Sequence, residues 1–123
     1  MGQKLPDIHK DALAPIDMVR YSGASGDFNE IHTVPKVARK KGLKEPIVHG
    51  MLLMGWAAEA IEEWLPNRKL AKFTVRFVGM AHAGEAFVIE GMLTTDNAGE
   101  LQIKDASGTG KLMGSFELEE LPV

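Results

Sequence analysis

Asp27, Asn29 and His32 fall within six residues of the stretch "YSGASGDFNEIH" (Tyr21 to His32), directly behind two glycines and two serines. In a helix, Asp27 and His32 would point about 140° apart, at about 100° per residue, and could not share a substrate. Gly26 before Asp27, with Asn29 two residues later, favours a turn or irregular loop instead, and only such a loop can aim both side chains at one point. A carboxylate and an imidazole converging there would hold one water molecule. They would form a general acid/base pair near neutral pH, worth roughly 10² to 10⁴ in rate. Spacing alone favours a plainer role, in which Asp27 caps a turn and His32 donates to a backbone carbonyl. Ser25 and Asn29 read as hydrogen bonders that fix the loop, and Tyr21 as packing.

A second feature is "EPIVHGMLL", in which Gly50 introduces an apolar helix. Free N–H groups at a helix N-terminus carry partial positive charge, and a glycine lets a ligand oxygen approach with no Cβ in the way. That outlines an oxyanion site at Gly50, where one donor could stabilise a developing enolate by roughly 3 kcal/mol. The plainer reading is a small-residue helix start, with His49 capping it or facing solvent.

The elements that must position these residues follow from punctuation and period. Pro15 and Gly23 bracket a short helix over about residues 15 to 22. In "TVPKVARKKG", Thr33 is the expected cap, Pro35 sits in the opening turn and Gly42 closes. A third helix starts at "HGMLLMGWAAEAIEEWLP" and must stop before Pro66. Its acidic residues Glu59, Glu62 and Glu63 make one polar stripe, leaving an otherwise apolar helix that needs to be surrounded.

Period-2 alternation then takes over: Phe73, Val75 and Phe77 on one face of "KFTVRFVGM", Phe87, Ile89, Gly91 and Leu93 in "FVIEGMLTT", Leu101 and Ile103 in "ELQIKDA", and Leu112, Gly114, Phe116 and Leu118 in "KLMGSFELEE". Turn chemistry at Asp96 to Gly99 and Ser107 to Gly110 joins the last three runs as antiparallel hairpins. One antiparallel sheet wrapped around one helix is an α+β arrangement.

With 123 residues, 45% of them hydrophobic and 25% charged, the chain has the size of one domain with a modest core. A formal net charge of −3 argues against nucleic acid as a partner. The lack of cysteine excludes disulfides, thiolate nucleophiles and Cys-based metal sites, and fits a reducing compartment. No apolar signal core opens the sequence, and its longest greasy run falls short of the ~18 residues of a membrane span, so a soluble, cytoplasmic protein is expected. The four histidines lack close metal-ligand spacing, so no metal site is expected. Lys36, Arg39, Lys40, Lys41 and Lys44 form a basic cluster that could meet the phosphates of coenzyme A or the acidic surface of a carrier protein. As a bland alternative, they complement a helix C-terminus on a solvated face.

"YSGASGDFNEIH" followed by "GLKEPIVHGMLL" resembles the MaoC-like dehydratases, the (R)-specific enoyl-CoA hydratase family, and "KFTVRFVGMAHAGE" looks like the strand and turn after that family's central helix. The resemblance covers about residues 13 to 86. It implies a hot-dog fold over 1–123, an antiparallel β-sheet wrapped around a long central α-helix, usually a homodimer. It also implies reversible syn addition of water to a trans-2-enoyl thioester of coenzyme A or acyl carrier protein. Asp27 and His32 match the family's water-activating pair, Gly50 its oxyanion amide, and Gly50 with Met51 the substrate-binding positions. Asn29 matches the loop-ordering asparagine, with Ser25 beside it as loop support. No metal or redox cofactor is implied. The sequence departs from the family pattern at Glu30, in place of the usual proline, at Val34 and at Ala58. Two rivals stand beside this reading: an acyl-CoA thioesterase, since one fold hosts both chemistries, and a non-catalytic acyl-thioester-binding subunit of a hetero-oligomer.

Overall fold

The structure, a computed structural model, describes residues 2–121. Its first element is a strand that the sequence conceals. Strand β1 (Gln3–Lys10) carries Leu5 and Ile8 as its large apolar residues, and its register against the neighbouring strand shifts between those two. A bulge at Pro6 and Asp7 hides the period-2 pattern, and proline is tolerated because β1 lies at the sheet edge.

Helix α1 (Pro15–Ser25) runs past the expected end at Gly23. It closes instead at Gly26, which takes a left-handed φ of 79° and donates its N–H to the Ser22 carbonyl. A 3-10 turn (Glu30–His32) and helix α2 (Pro35–Lys40) follow. Thr33, the expected cap of α2, has its N–H bonded to the Glu30 carbonyl and closes the 3-10 turn, so Val34 takes the cap position.

Helix α3 (Gly50–Trp64) starts at the expected glycine and ends before Pro66. Strands β2 (Leu70–Phe77), β3 (Phe87–Thr95), β4 (Ala98–Asp105) and β5 (Gly110–Leu118) complete a five-stranded antiparallel sheet in the order β1-β3-β4-β5-β2. The two predicted hairpins join β3 to β4 and β4 to β5.

The sheet buries its inner face against α3. Ile89, Leu101, Ile103, Leu112 and Phe116 pack with Leu53, Ala57, Ala60 and Ile61 in one core cluster. Each large side chain so buried contributes about 1.5–3 kcal/mol. Phe77, expected inward with Phe73 and Val75, is 49% exposed because it ends the edge strand β2. The sheet also leaves one side of α3 open: Met51 and Gly55 continue the exposed stripe of Glu59 and Glu62.

Gly91 lets the last turn of α3 reach the sheet, since a Cβ there would sit 2.5 Å from the Trp64 ring. That ring is pinned by its Nε1–H donating to the Pro6 carbonyl at 2.7 Å, so it cannot yield freely. Gly91→Ala is therefore expected to lower the unfolding free energy by about 1–3 kcal/mol, read as a drop in the denaturant midpoint at constant m-value.

Between β2 and β3 the chain forms a loop that holds the segment leading into α3. Val48 N–H donates to the Ala81 carbonyl at 2.7 Å and Ala83 N–H to the Pro46 carbonyl at 3.0 Å. The loop is itself held by the buried Lys111, whose Nζ donates to the Met80 carbonyl at 2.8 Å and lies 3.4 Å from Asp105 and 3.7 Å from Glu85. Hydrogen bonds from the Ser107 hydroxyl, then from the Thr109 and Ser107 N–H groups, together with Lys111, pull the Asp105 carboxyl down to about 2 from 3.8. A depressed carboxylate stabilises the fold above its unfolded value and loses that contribution as pH falls. Asp105→Asn should thus lower the melting temperature at pH 7, and the variant's deficit should shrink between pH 3.8 and about 2.

Candidate active site

The loop after α1 is built from short side-chain to backbone bonds, each spanning two residues. Ser25 Oγ accepts from Asp27 N–H at 3.1 Å, Asp27 Oδ1 from Asn29 N–H at 3.2 Å, and Asn29 Oδ1 from Ile31 N–H at 3.2 Å. Such bonds offer the backbone an alternative to helix and fix the Asp27 side chain by one oxygen. Its other oxygen, Oδ2, stands 3.5 Å from His32 Nε2. Asp27 is exposed and His32 buried, so the pair lies at the surface with its imidazole end inward.

The far side of the His32 ring decides its tautomer. Nδ1 lies 2.8 Å from the Ile47 carbonyl. A carbonyl only accepts, so Nδ1 carries the proton and donates, leaving Nε2 of the neutral ring with its lone pair toward Asp27. The turn-capping and carbonyl-bonding roles that spacing alone favours are both present, and the same bonds aim the two side chains at each other.

His49 is not the capping or solvent-facing residue that the sequence suggested. It is buried, stacks on His32 with centroids 3.9 Å apart and planes 20° apart, and places Nε2 3.0 Å from Ser22 Oγ. Tyr21 meets the His49 ring edge-on at 4.7 Å. Burial is the main cause that holds His49 below the ordinary imidazole value; the neighbouring His32 adds to it, and Asp27 opposes it. Tyr21 and Ser22 both come from the C-terminal half of α1 (Pro15–Ser25). Apolar neighbours on both sides of His49 in "IVHGMLL" are the one sequence signal of its burial.

His49 leads directly into Gly50, the first residue of α3. Among the described residues the Gly50 N–H has no acceptor, as expected of the first turn of a helix. The Phe77 ring lies beside it, 3.3 Å from where a Cβ would stand. Met51, the next residue, is 62% exposed. A concavity of about 620 Å³ lies elsewhere, on the outer face of the sheet among Lys4, Arg76, Glu90 and Gln102. Donor atoms of Asp27, His32 and His49 lie within 4.8 Å of one another.

Comparison with known proteins decides the family. A sequence model of the MaoC-like domain matches residues 1–113. The chain belongs to the MaoC-like domain family. A peroxisomal hydratase-dehydrogenase-epimerase of Neurospora crassa is 34% identical over 124 residues, covering 98% of this chain and 13% of that protein. A fatty acid synthase subunit beta of Gibberella zeae is 33% identical over 110 residues, covering 83% of this chain and 5% of that protein. The chain thus spans a small part of these relatives. A solved (R)-hydratase from A. caviae superimposes with a TM-score of 0.84 at 24% identity, over 98% of this chain and 96% of that one.

The α+β arrangement of this MaoC-like chain is the hot-dog fold, with α3 as the central helix and the curled sheet around it. No helix of the described residues is long and apolar enough to cross a membrane.

Proposed function

We propose that this MaoC-like chain, a single domain over 1–123, is an (R)-specific 2-enoyl-thioester hydratase that works in reverse as a 3-hydroxyacyl-thioester dehydratase. The observation that carries the reading is the 2.8 Å contact of His32 Nδ1 with the Ile47 carbonyl, from which the tautomer follows. With Nδ1 committed to the Ile47 carbonyl, the basic Nε2 faces a carboxylate oxygen across 3.5 Å. Two acceptors so placed can each take a hydrogen of one water, which leaves a water lone pair for attack.

In the proposed reaction that oxygen bonds to C3 of the enoyl thioester, a water proton passes to the Asp27–His32 pair, and the π electrons move toward the thioester oxygen. Gly50 N–H, at the positive end of α3, donates to the oxygen as charge develops. Return of a proton to C2 completes a 3-hydroxyacyl product. Asp27 and His32 act as one coupled pair in this scheme. The net change is addition of water, so no redox cofactor is required. The word hydratase in the name of the Neurospora relative agrees with this chemistry.

The acyl carrier is coenzyme A or a carrier protein, with the exposed Lys36, Arg39, Lys40, Lys41 and Lys44 available to its anionic groups. Met51, Phe77, Val78 and Met80 are exposed apolar residues along the α3 start and the β2 end. A second copy of the chain covering that side of Gly50 would complete an acyl-binding wall, so a homodimer acting in the cytoplasm is part of the proposal.

Purified protein mixed with crotonyl-CoA tests it. Loss of the conjugated-thioester absorbance without free thiol is expected. Free thiol would instead mark a thioesterase. A chain inert alone but active with a different partner chain would mark a non-catalytic subunit.

A further inference from the structure

His49 has no role in the scheme above, yet it is 2% exposed and lies flat against His32. Its polar environment is sparse. Nε2 meets Ser22 Oγ at 3.0 Å, and Nδ1 is buried with no hydrogen-bond partner among the described residues. The groups that face it are the Tyr21 ring and Ser22 hydroxyl from α1, Asp27 from the loop and His32 from the 3-10 turn.

With one hydrogen bond to serve two ring nitrogens, a neutral ring leaves one nitrogen unmatched. An imidazolium would bury a charge with the same single partner and set it against any charge on His32. Burial accordingly holds His49 below the ordinary imidazole value, while Asp27 opposes the shift.

A neutral aromatic face at 3.9 Å is what a transient imidazolium on His32 would be stabilised by. We propose that His49 is a positioning residue: an uncharged imidazole platform, its ring held by Ser22 and Tyr21, that fixes the His32 plane and stabilises His32 when it takes a proton. This rests on the hydratase reading for its place in turnover, though not for its geometry.

Nitrogen NMR of both rings in the ligand-free wild type, followed across pH, tests the proposal without turnover. His49 should hold one tautomer and stay neutral through the ordinary imidazole range. Protonation of His49 together with or before His32 would overturn it. Ser22→Ala should leave the fold intact and give His49 mixed tautomers; an unchanged His49 spectrum would remove Ser22 from the device.

His49→Leu deletes the ring face, and His49→Phe keeps it without the serine bond. The leucine variant should lower kcat about tenfold at unchanged KM and move His32 titration to lower pH, with phenylalanine closer to wild type. Equal losses in both variants with no movement of His32 would mean that His49 merely fills space. If the wild-type titration is as expected but crotonyl-CoA is not hydrated, the hydratase reading fails and the platform stands. If crotonyl-CoA is hydrated but both rings titrate together, the platform fails and the hydratase reading stands.

Discussion

Asp27→Asn is expected to lower kcat for the proposed enoyl-thioester hydration by about 10²–10⁴-fold and to leave the melting temperature within a few degrees of wild type. The substitution removes the charge and basicity from Oδ2 while an amide oxygen can still accept from Asn29 N–H, the bond that orders the loop. The side chain is 52% exposed, so little packing is lost. His32→Ala should lose as much activity but more stability. It strands the Ile47 carbonyl and removes the ring stacked on His49, a cost of about 1–3 kcal/mol for the unpaired acceptor alone. The double variant should be scarcely slower than either single one, because two groups that share one water act as a unit. Stopped-flow absorbance with crotonyl-CoA, beside thermal melts, separates the two effects. If Asp27→Asn keeps wild-type kcat, the carboxylate has no part in proton transfer.

Why the loop is legible in the sequence and its floor is not follows from where the signals reside. Gly26, Asp27 and Asn29 act within two residues of themselves, so their bonds are written in local spacing. The α3 start is equally plain, because Gly50 and Pro66 bracket an apolar run that only a helix could use. The partners of His32 and His49 come from elsewhere: Ile47 is 15 residues from His32, and Ser22 is 27 from His49. Residue types alone do not reveal contacts at that separation. The end of α1 does carry a local signal, at the second of two glycines rather than the first. Gly23 has no neighbour demanding a turn, whereas Gly26 is followed at once by the side-chain bonds that replace the helix. β1 is hidden for a different reason, since a bulged edge strand with one covered face offers too short an alternation to detect.

Gly50→Pro is expected to cost about 10²–10³ in kcat, with a far smaller effect from Gly50→Ala. Proline deletes one N–H, and the first helical position is one where that N–H has no intrahelical partner to lose and where proline's fixed φ suits the helix. The backbone is already suited to it. Gly50 opens α3, and the preceding His49 has φ −58° and ψ 131°, the extended conformation that a residue before proline adopts. Both variants add a Cβ 3.3 Å from the Phe77 ring, which is half exposed at the strand end and free to give way. Alanine therefore controls for the crowding, and the difference between the two isolates the donor. Loss confined to kcat, with KM nearly unchanged, means that the amide is used only as negative charge builds on the thioester oxygen. Equal activity of the proline and alanine variants would show that this oxygen is held by some other group.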